Sequence, residues 1–187
     1  MKRLITVLLL SLGILLPARA VTPPQGQRHL VRAGWGDSLF ESLAFHENQD
    51  QTHFAYTGHF FADYQYNLTR VVSMGAQADI QGIFWTENNV RSRNYDVTLM
   101  PTVRFTWLHT DWVRLYSGLG AGVLFAFDNA GGLDVAPAVD IQTIGVQIGK
   151  TPWCGSIDFG FLSALKNAHY IYMFGSRLVS VSVNYRW

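Results

Sequence analysis

The chain has 187 residues, with 14 Lys and Arg against 13 Asp and Glu, a formal net charge of +1, and 14% aromatic residues. So balanced a charge argues against nucleic acid as a partner. The single cysteine, Cys154, excludes an internal disulfide and is expected to pack on a strand, and past the N-terminus no apolar run reaches the ~20 residues of a transmembrane helix.

Lys2 and Arg3 precede an apolar run from Leu4 to Leu16, which leads into Ala18-Arg19-Ala20. That order predicts a signal peptide over residues 1–20, cut before Val21, and hence an exported protein. Without Lys2, Arg3 and Arg19 the remainder carries 11 basic and 13 acidic residues, over a length that suits one domain, 21–187.

The first strand is expected near Arg28–Trp35, with Val31, Ala33 and Trp35 opposite Arg32, Gly34 and Gly36. Ser38-Leu39-Phe40-Glu41 has the form of a capping box, which predicts a helical turn at a membrane interface. In strand two Phe54, Tyr56, Gly58, Phe60, Ala62, Tyr64 and Tyr66 alternate with His59, Phe61, Asp63 and Gln65; the first set is expected to face lipid. Strand three sets Met74, Ala76, Ala78, Ile80 and Phe84 against Ser73, Gln77, Asp79 and Gln81. A polar loop over 86–94 follows.

Strand four alternates Tyr95, Val97, Leu99, Pro101, Val103, Phe105 and Trp107 with Asp96, Thr98, Thr102, Arg104 and Thr106. Pro101 cannot donate to a ladder, so a bulge or a gap in pairing is expected there. Strand five turns Arg114, Tyr116, Gly118, Gly120 and Gly122 inward, the glycines leaving room for long side chains. Strand six changes phase between Ile141 and Ile144, the mark of a bulge near Gln142 and Thr143. Strand seven opposes Trp153, Ile157 and Phe159 to Cys154, Ser156 and Asp158. The last strand, read over 175–187, places Val179, Val181, Val183, Tyr185 and Trp187 on one face and Ser180, Ser182, Asn184 and Arg186 on the other.

Eight amphipathic strands with alternating short and long connections predict an all-β fold, an eight-stranded antiparallel up-and-down transmembrane β-barrel. Short turns at 67–70, 108–112 and 149–152 would face the periplasm, and loops around 38–53, 86–94, 128–134 and 163–169 the exterior. The Ala18-Arg19-Ala20 cut, Tyr116 to Gly122, Ile141 to Val146 and Tyr185-Arg186-Trp187 together resemble the small OmpA/OmpX-type outer-membrane barrels of Gram-negative bacteria. The resemblance spans nearly the whole exported part, with Trp187 standing where the family more often has Phe. It implies a cell outer membrane location, lipid and lipopolysaccharide as surroundings, insertion by the barrel-assembly machinery, a monomer, and an insertion signal at Val183, Tyr185 and Trp187.

An eight-stranded barrel fills with side chains, so an open pore is not expected. The inward charges Arg32, His59, Asp63, Asp79, Asp96, Arg104, Arg114, Asp140, Asp158 and Arg186 must be paired, which predicts a structural ion network. The expected role is structural, adhesive or surface-interacting through the outer loops, with no enzyme activity and no cofactor. The alternative is a narrow channel or carrier for small or hydrophobic solutes, and behind it a lipid-modifying enzyme. For that last reading His59 with Asp63 or Asp79 and Ser73 would be a hydrolase set, although the His-x-Ser pair of lipid A deacylases is absent from the sequence. His46, Glu47, Asp50 and His53 could converge on a metal but read as a solvated loop. Gly118-x-Gly120-x-Gly122 is not a phosphate loop, because no helix follows it, and Asn67-Leu68-Thr69 is read as a turn.

Overall fold

The computed structural model describes residues 28–37, 53–87, 90–127, 131–150, 152–164 and 177–187. The signal peptide, the capping box at Ser38–Glu41 and His46, Glu47 and Asp50 lie outside them.

Eight strands follow one another as β1 (His29–Gly36), β2 (His53–Asn67), β3 (Val72–Glu87), β4 (Val90–His109), β5 (Val113–Phe127), β6 (Leu133–Ile148), β7 (Trp153–Ala164) and β8 (Val179–Arg186). Each pairs antiparallel with its sequence neighbours, and β1 pairs with β8 from Leu30 opposite Arg186 to Gly36 opposite Ser180. Two bonds seal that seam at its end, His29 N to Trp187 O at 3.0 Å and Trp187 N to His29 O at 3.1 Å. The expected eight-stranded, up-and-down antiparallel barrel is therefore closed and has no free sheet edge.

Alternation along each strand sorts the side chains. On β8, Val179, Val181, Val183 and Tyr185 are exposed while Ser180, Ser182, Asn184 and Arg186 are buried. The same holds for Met74 and Ile80 against Gln77 and Asp79 on β3, and for Leu99 and Phe105 against Thr98 and Arg104 on β4. Among the described residues far more polar than apolar side chains are buried, and large apolar side chains cover the outer surface. This inverts the usual distribution of a water-soluble protein.

Two short turns share one device. Thr69 N donates to Val72 O at 3.0 Å and Val72 N returns a bond to Thr69 Oγ1 at 2.9 Å. Thr110 and Val113 repeat the pair at 2.9 and 2.9 Å. A hydroxyl thus closes each turn by mimicking a backbone acceptor. This accounts for Thr69 in structural terms.

The phase change on β6 is a bulge: register shifts between Gln142 and Ile144 against β7, and opposite it between Tyr116 and Gly118. Side chains stitch it in place, with Ser117 Oγ donating to Thr143 O at 2.7 Å and Thr143 Oγ1 to Phe159 O at 2.9 Å.

Three expectations need correction and one, at Pro101, is met. Gly58 is buried rather than open to the surroundings, because Trp35 lies over it where a bulge between Tyr56 and His59 breaks the ladder. Its φ is +76°, and a Cβ there would lie 2.4 Å from Trp35 Nε1 and 2.6 Å from Gly36 O, so only glycine fits. At Pro101 the expected gap is present, since the β4–β5 ladder skips Met100 and Pro101 without changing register, and the bulge on that ladder sits at Trp107. The loop expected over 86–94 is largely strand, since Thr86 pairs with Arg91 and Phe84 with Arg93. Finally, the last strand begins only at Val179: Arg177 adopts a left-handed φ of 63° and Leu178 bends the chain.

Candidate functional site

The lumen holds the chemistry of this chain. Because β1, β2, β4, β5 and β7 each turn one long polar side chain inward at the same level, five residues meet at the centre. Arg32 Nε donates to Asp63 Oδ2 at 2.7 Å, and Arg32 Nη1 to Asp158 Oδ2 at 2.9 Å and to Tyr116 OH at 3.0 Å. Arg104 Nη2 donates to the same Asp63 oxygen at 2.8 Å and its guanidinium lies 4.4 Å over the Tyr116 ring. Tyr116 OH donates to Asp158, and Gln65 Nε2 bonds Asp63 Oδ1 at 2.7 Å and Thr102 Oγ1 at 2.6 Å. Each charge thereby gains an opposite partner within hydrogen-bond reach, which is what makes such burial tolerable.

Space for this cluster comes from glycine. A Cβ on Gly145 would stand 2.3 Å from the Tyr116 ring and 2.5 Å from Asp158 Oδ1. Gly118 and Gly120 likewise leave room for Gln142 and Met100. We expect Gly145→Ala to unseat the Tyr116–Asp158 contact and cost roughly 1–3 kcal/mol in urea unfolding of the folded barrel. Gly155→Ala is the matched control, since the nearest atom to its added methyl is 3.9 Å away and on the outer face. Equal effects of the two would refute the packing argument.

A second cluster lies towards the long loops. Arg177 Nη1 bonds Asp79 Oδ1 at 2.9 Å and Arg177 Nη2 bonds Asp140, while Gln77 Nε2 bridges Asp79 at 2.9 Å and Asp140 at 3.2 Å. Arg177 was not among the residues expected from the sequence. It precedes the strand, outside any alternation, and it enters the lumen through its left-handed backbone and the space left by Gly36, where a Cβ would lie 2.2 Å from Arg177 Cγ. A glycine facing inward on the partner strand was the one signal available.

Towards the short turns Arg186 Nη2 bonds Gln147, Gln147 Nε2 bonds Cys154 Sγ at 3.0 Å, and Ser156 and Ser182 hydroxyls meet at 2.6 Å. Arg114 is half-buried at this end and Asp96 is buried at the other. His59 is buried with neither ring nitrogen hydrogen-bonded to a described residue. Its register partner Gln81 stands eight residues along β3 from Ser73, roughly 26 Å at 3.3 Å per residue, so His59 and Ser73 cannot form a triad. Among the described residues no three His, Cys, Asp or Glu side chains converge as metal ligands.

Above the ion clusters the lumen wall turns apolar, with Met100, Leu124, Ala136, Ala138, Leu162 and Ala164 buried together. The cavity beside Arg32, Gln65, Thr102 and Arg104 measures about 10 Å³, on the order of one water molecule.

On the outer surface Val183, Tyr185 and Trp187 project away from the barrel. Trp187 stacks on His29 at 5.3 Å, Tyr185 lies 4.8 Å from Trp153, and Lys150 Nζ sits 4.5 Å over Trp112. The short-turn end thus carries an aromatic cluster over β1, β2, β7 and β8, with Trp112 apart from it. No family model matches the chain, and no curated protein matches it.

Proposed function

We propose that the chain is an integral outer-membrane β-barrel protein whose lumen is a sealed ionic plug and whose role is structural or surface-interacting through its long loops. The observation that carries this reading is the inversion of burial: charges fill the inside and large apolar side chains face out. In water such a surface would far exceed the apolar patch of a soluble monomer. In hydrocarbon it is the required surface, and a closed barrel leaves no unpaired backbone edge.

The dimensions agree. On β4 the outward run from Tyr95 to Trp107 covers twelve residue steps, roughly 40 Å of strand, or about 28 Å of depth at a tilt of ~45°. An apolar band of about 25 Å with aromatic girdles is the norm for such barrels. The signal-peptide pattern over residues 1–20 supports export, and the long connections 37–52 and 165–178, both at the end opposite the turns 68–71, 110–112 and 149–152, support the orientation with that end outward, although β3 and β4 are joined there by 88–89 alone.

A channel role is disfavoured by the mid-lumen cluster, which spans the barrel from Arg32 on β1 to Arg104 on β4 and Asp158 on β7. Purified, folded protein in planar bilayers is expected to give no discrete conductance steps. Regular steps that survive a change of preparation would overturn the sealed-plug reading. The membrane address has its own test: folded protein should need detergent or lipid to stay in solution and should migrate faster on gels unheated than boiled. Protein that remains folded and dispersed in plain buffer would sink it.

A further inference from the structure

The outer face is apolar along most of its height, and at the loop end of β3 and β4 it becomes cationic. Arg91 and Arg93 both project outward there, two residues apart and exposed, directly above Tyr95. Phe84 is the register partner of Arg93 and Thr86 that of Arg91, and opposed side chains on one face stand about 5 Å apart at Cβ. Phe84 meets Tyr95 edge to face at 6.0 Å, and the Arg93 guanidinium lies 5.8 Å over the Tyr95 ring. An aromatic step therefore holds one guanidinium, with a second guanidinium and a hydroxyl one step higher. Neither arginine forms an ion pair with a described residue.

Two neighbouring cations without an acidic partner among the described residues repel each other and gain most from an anion shared between them. Guanidinium forks match the geometry of phosphate oxygens, and the Thr86 hydroxyl adds a neutral donor. The height settles the source of that phosphate. Tyr95 marks the upper edge of the ~28 Å apolar run, so Arg93 and Arg91 stand where lipid headgroups begin. We propose that Arg91, Arg93 and Thr86 form a binding site for the phosphate of a phosphorylated lipid headgroup in the leaflet at the loop end. This rests on the membrane reading above and adds a specific lipid contact to it.

The test uses the full exported chain folded in maltoside detergent micelles, which carry no phosphate, and titrated with lipid A, its affinity compared for wild type, the double variant Arg91→Ala/Arg93→Ala and the double variant Arg91→Lys/Arg93→Lys. The Ala pair should bind roughly tenfold or more weakly, and the Lys pair should recover part of the loss, since charge near a headgroup contributes about 1 kcal/mol per residue. Unboiled gel migration reports that each variant is folded. Equal affinity of the folded Ala pair and wild type would overturn the site while leaving the barrel's membrane address intact. Competition by millimolar inorganic phosphate equal to that by lipid A would also overturn it, by identifying a free-anion site. Failure of wild type to fold in micelles, with folding in plain buffer instead, would strike the membrane reading.

Discussion

Asp63→Ala is expected to destabilise the barrel by about 3–5 kcal/mol, the largest loss of any single substitution in the lumen. Asp63 is fully buried, and one of its oxygens takes both Arg32 Nε at 2.7 Å and Arg104 Nη2 at 2.8 Å. Its other oxygen takes Gln65 at 2.7 Å. Removing the carboxylate leaves Arg32 with Asp158 as its remaining carboxylate in the cluster, and leaves Arg104 with its stacking on Tyr116 but without the charge that balanced it. The loss is one of desolvation left uncompensated, so it should shrink when the stranded partner also goes. Asp63→Leu/Arg104→Met should cost clearly less than the two single changes added together. Urea unfolding of the four proteins in detergent micelles measures this, and strictly additive effects would show that the two residues do not act as a unit.

The same cluster shows which parts of the molecule can be read from sequence. Arg104 and Asp158 fall on the polar side of clean alternations, and Arg32 and Asp63 on that of weaker ones, so their inward direction follows from period two. The β6 bulge was visible because bulky apolar residues stand on both sides of the phase change, Ile141 before it and Ile144 after it. The β2 bulge was not visible. Gly58 has no side chain to betray its direction, and Phe60 and Phe61 place aromatic rings on both faces of the strand, one out and one into the lumen against Arg32 and Arg177. Composition misled at 86–94, where polar residues suggest a loop although two facing strands satisfy the backbone by pairing. The apolar patch of Met100, Leu124 and Leu162 inside the barrel was also hidden, because Met100 sits between Thr98 and Thr102, Leu124 and Leu162 sit among glycines and alanines that mark neither face, and only the register collects them.

Periodicity says which side chains share a face but is silent on what that face touches, and the second large effect turns on that distinction. Leu99 lies on the outer face of β4, two residues from the middle of the Tyr95–Trp107 run, and is 49% exposed beside Ala78 and Val123 on its neighbouring strands. If water bathed it, Leu99→Arg would shift stability by no more than about 0.5 kcal/mol and would raise solubility. In hydrocarbon the guanidinium must be dragged towards the bilayer midplane, and the cost is about 2–4 kcal/mol. Leu133→Arg supplies the depth control. Leu133 is comparably exposed at 56%, but it is opposite Phe127, which is itself opposite Tyr95, at the upper edge of the apolar band. There the arginine reaches the headgroups and should cost about 0–1 kcal/mol. Urea unfolding from phospholipid vesicles should therefore rank Leu99→Arg well above Leu133→Arg. The two should converge in plain buffer if the protein folds there at all. A depth-independent cost in vesicles would mean that the apolar exterior is not in contact with a bilayer, whatever the alternation along the strands.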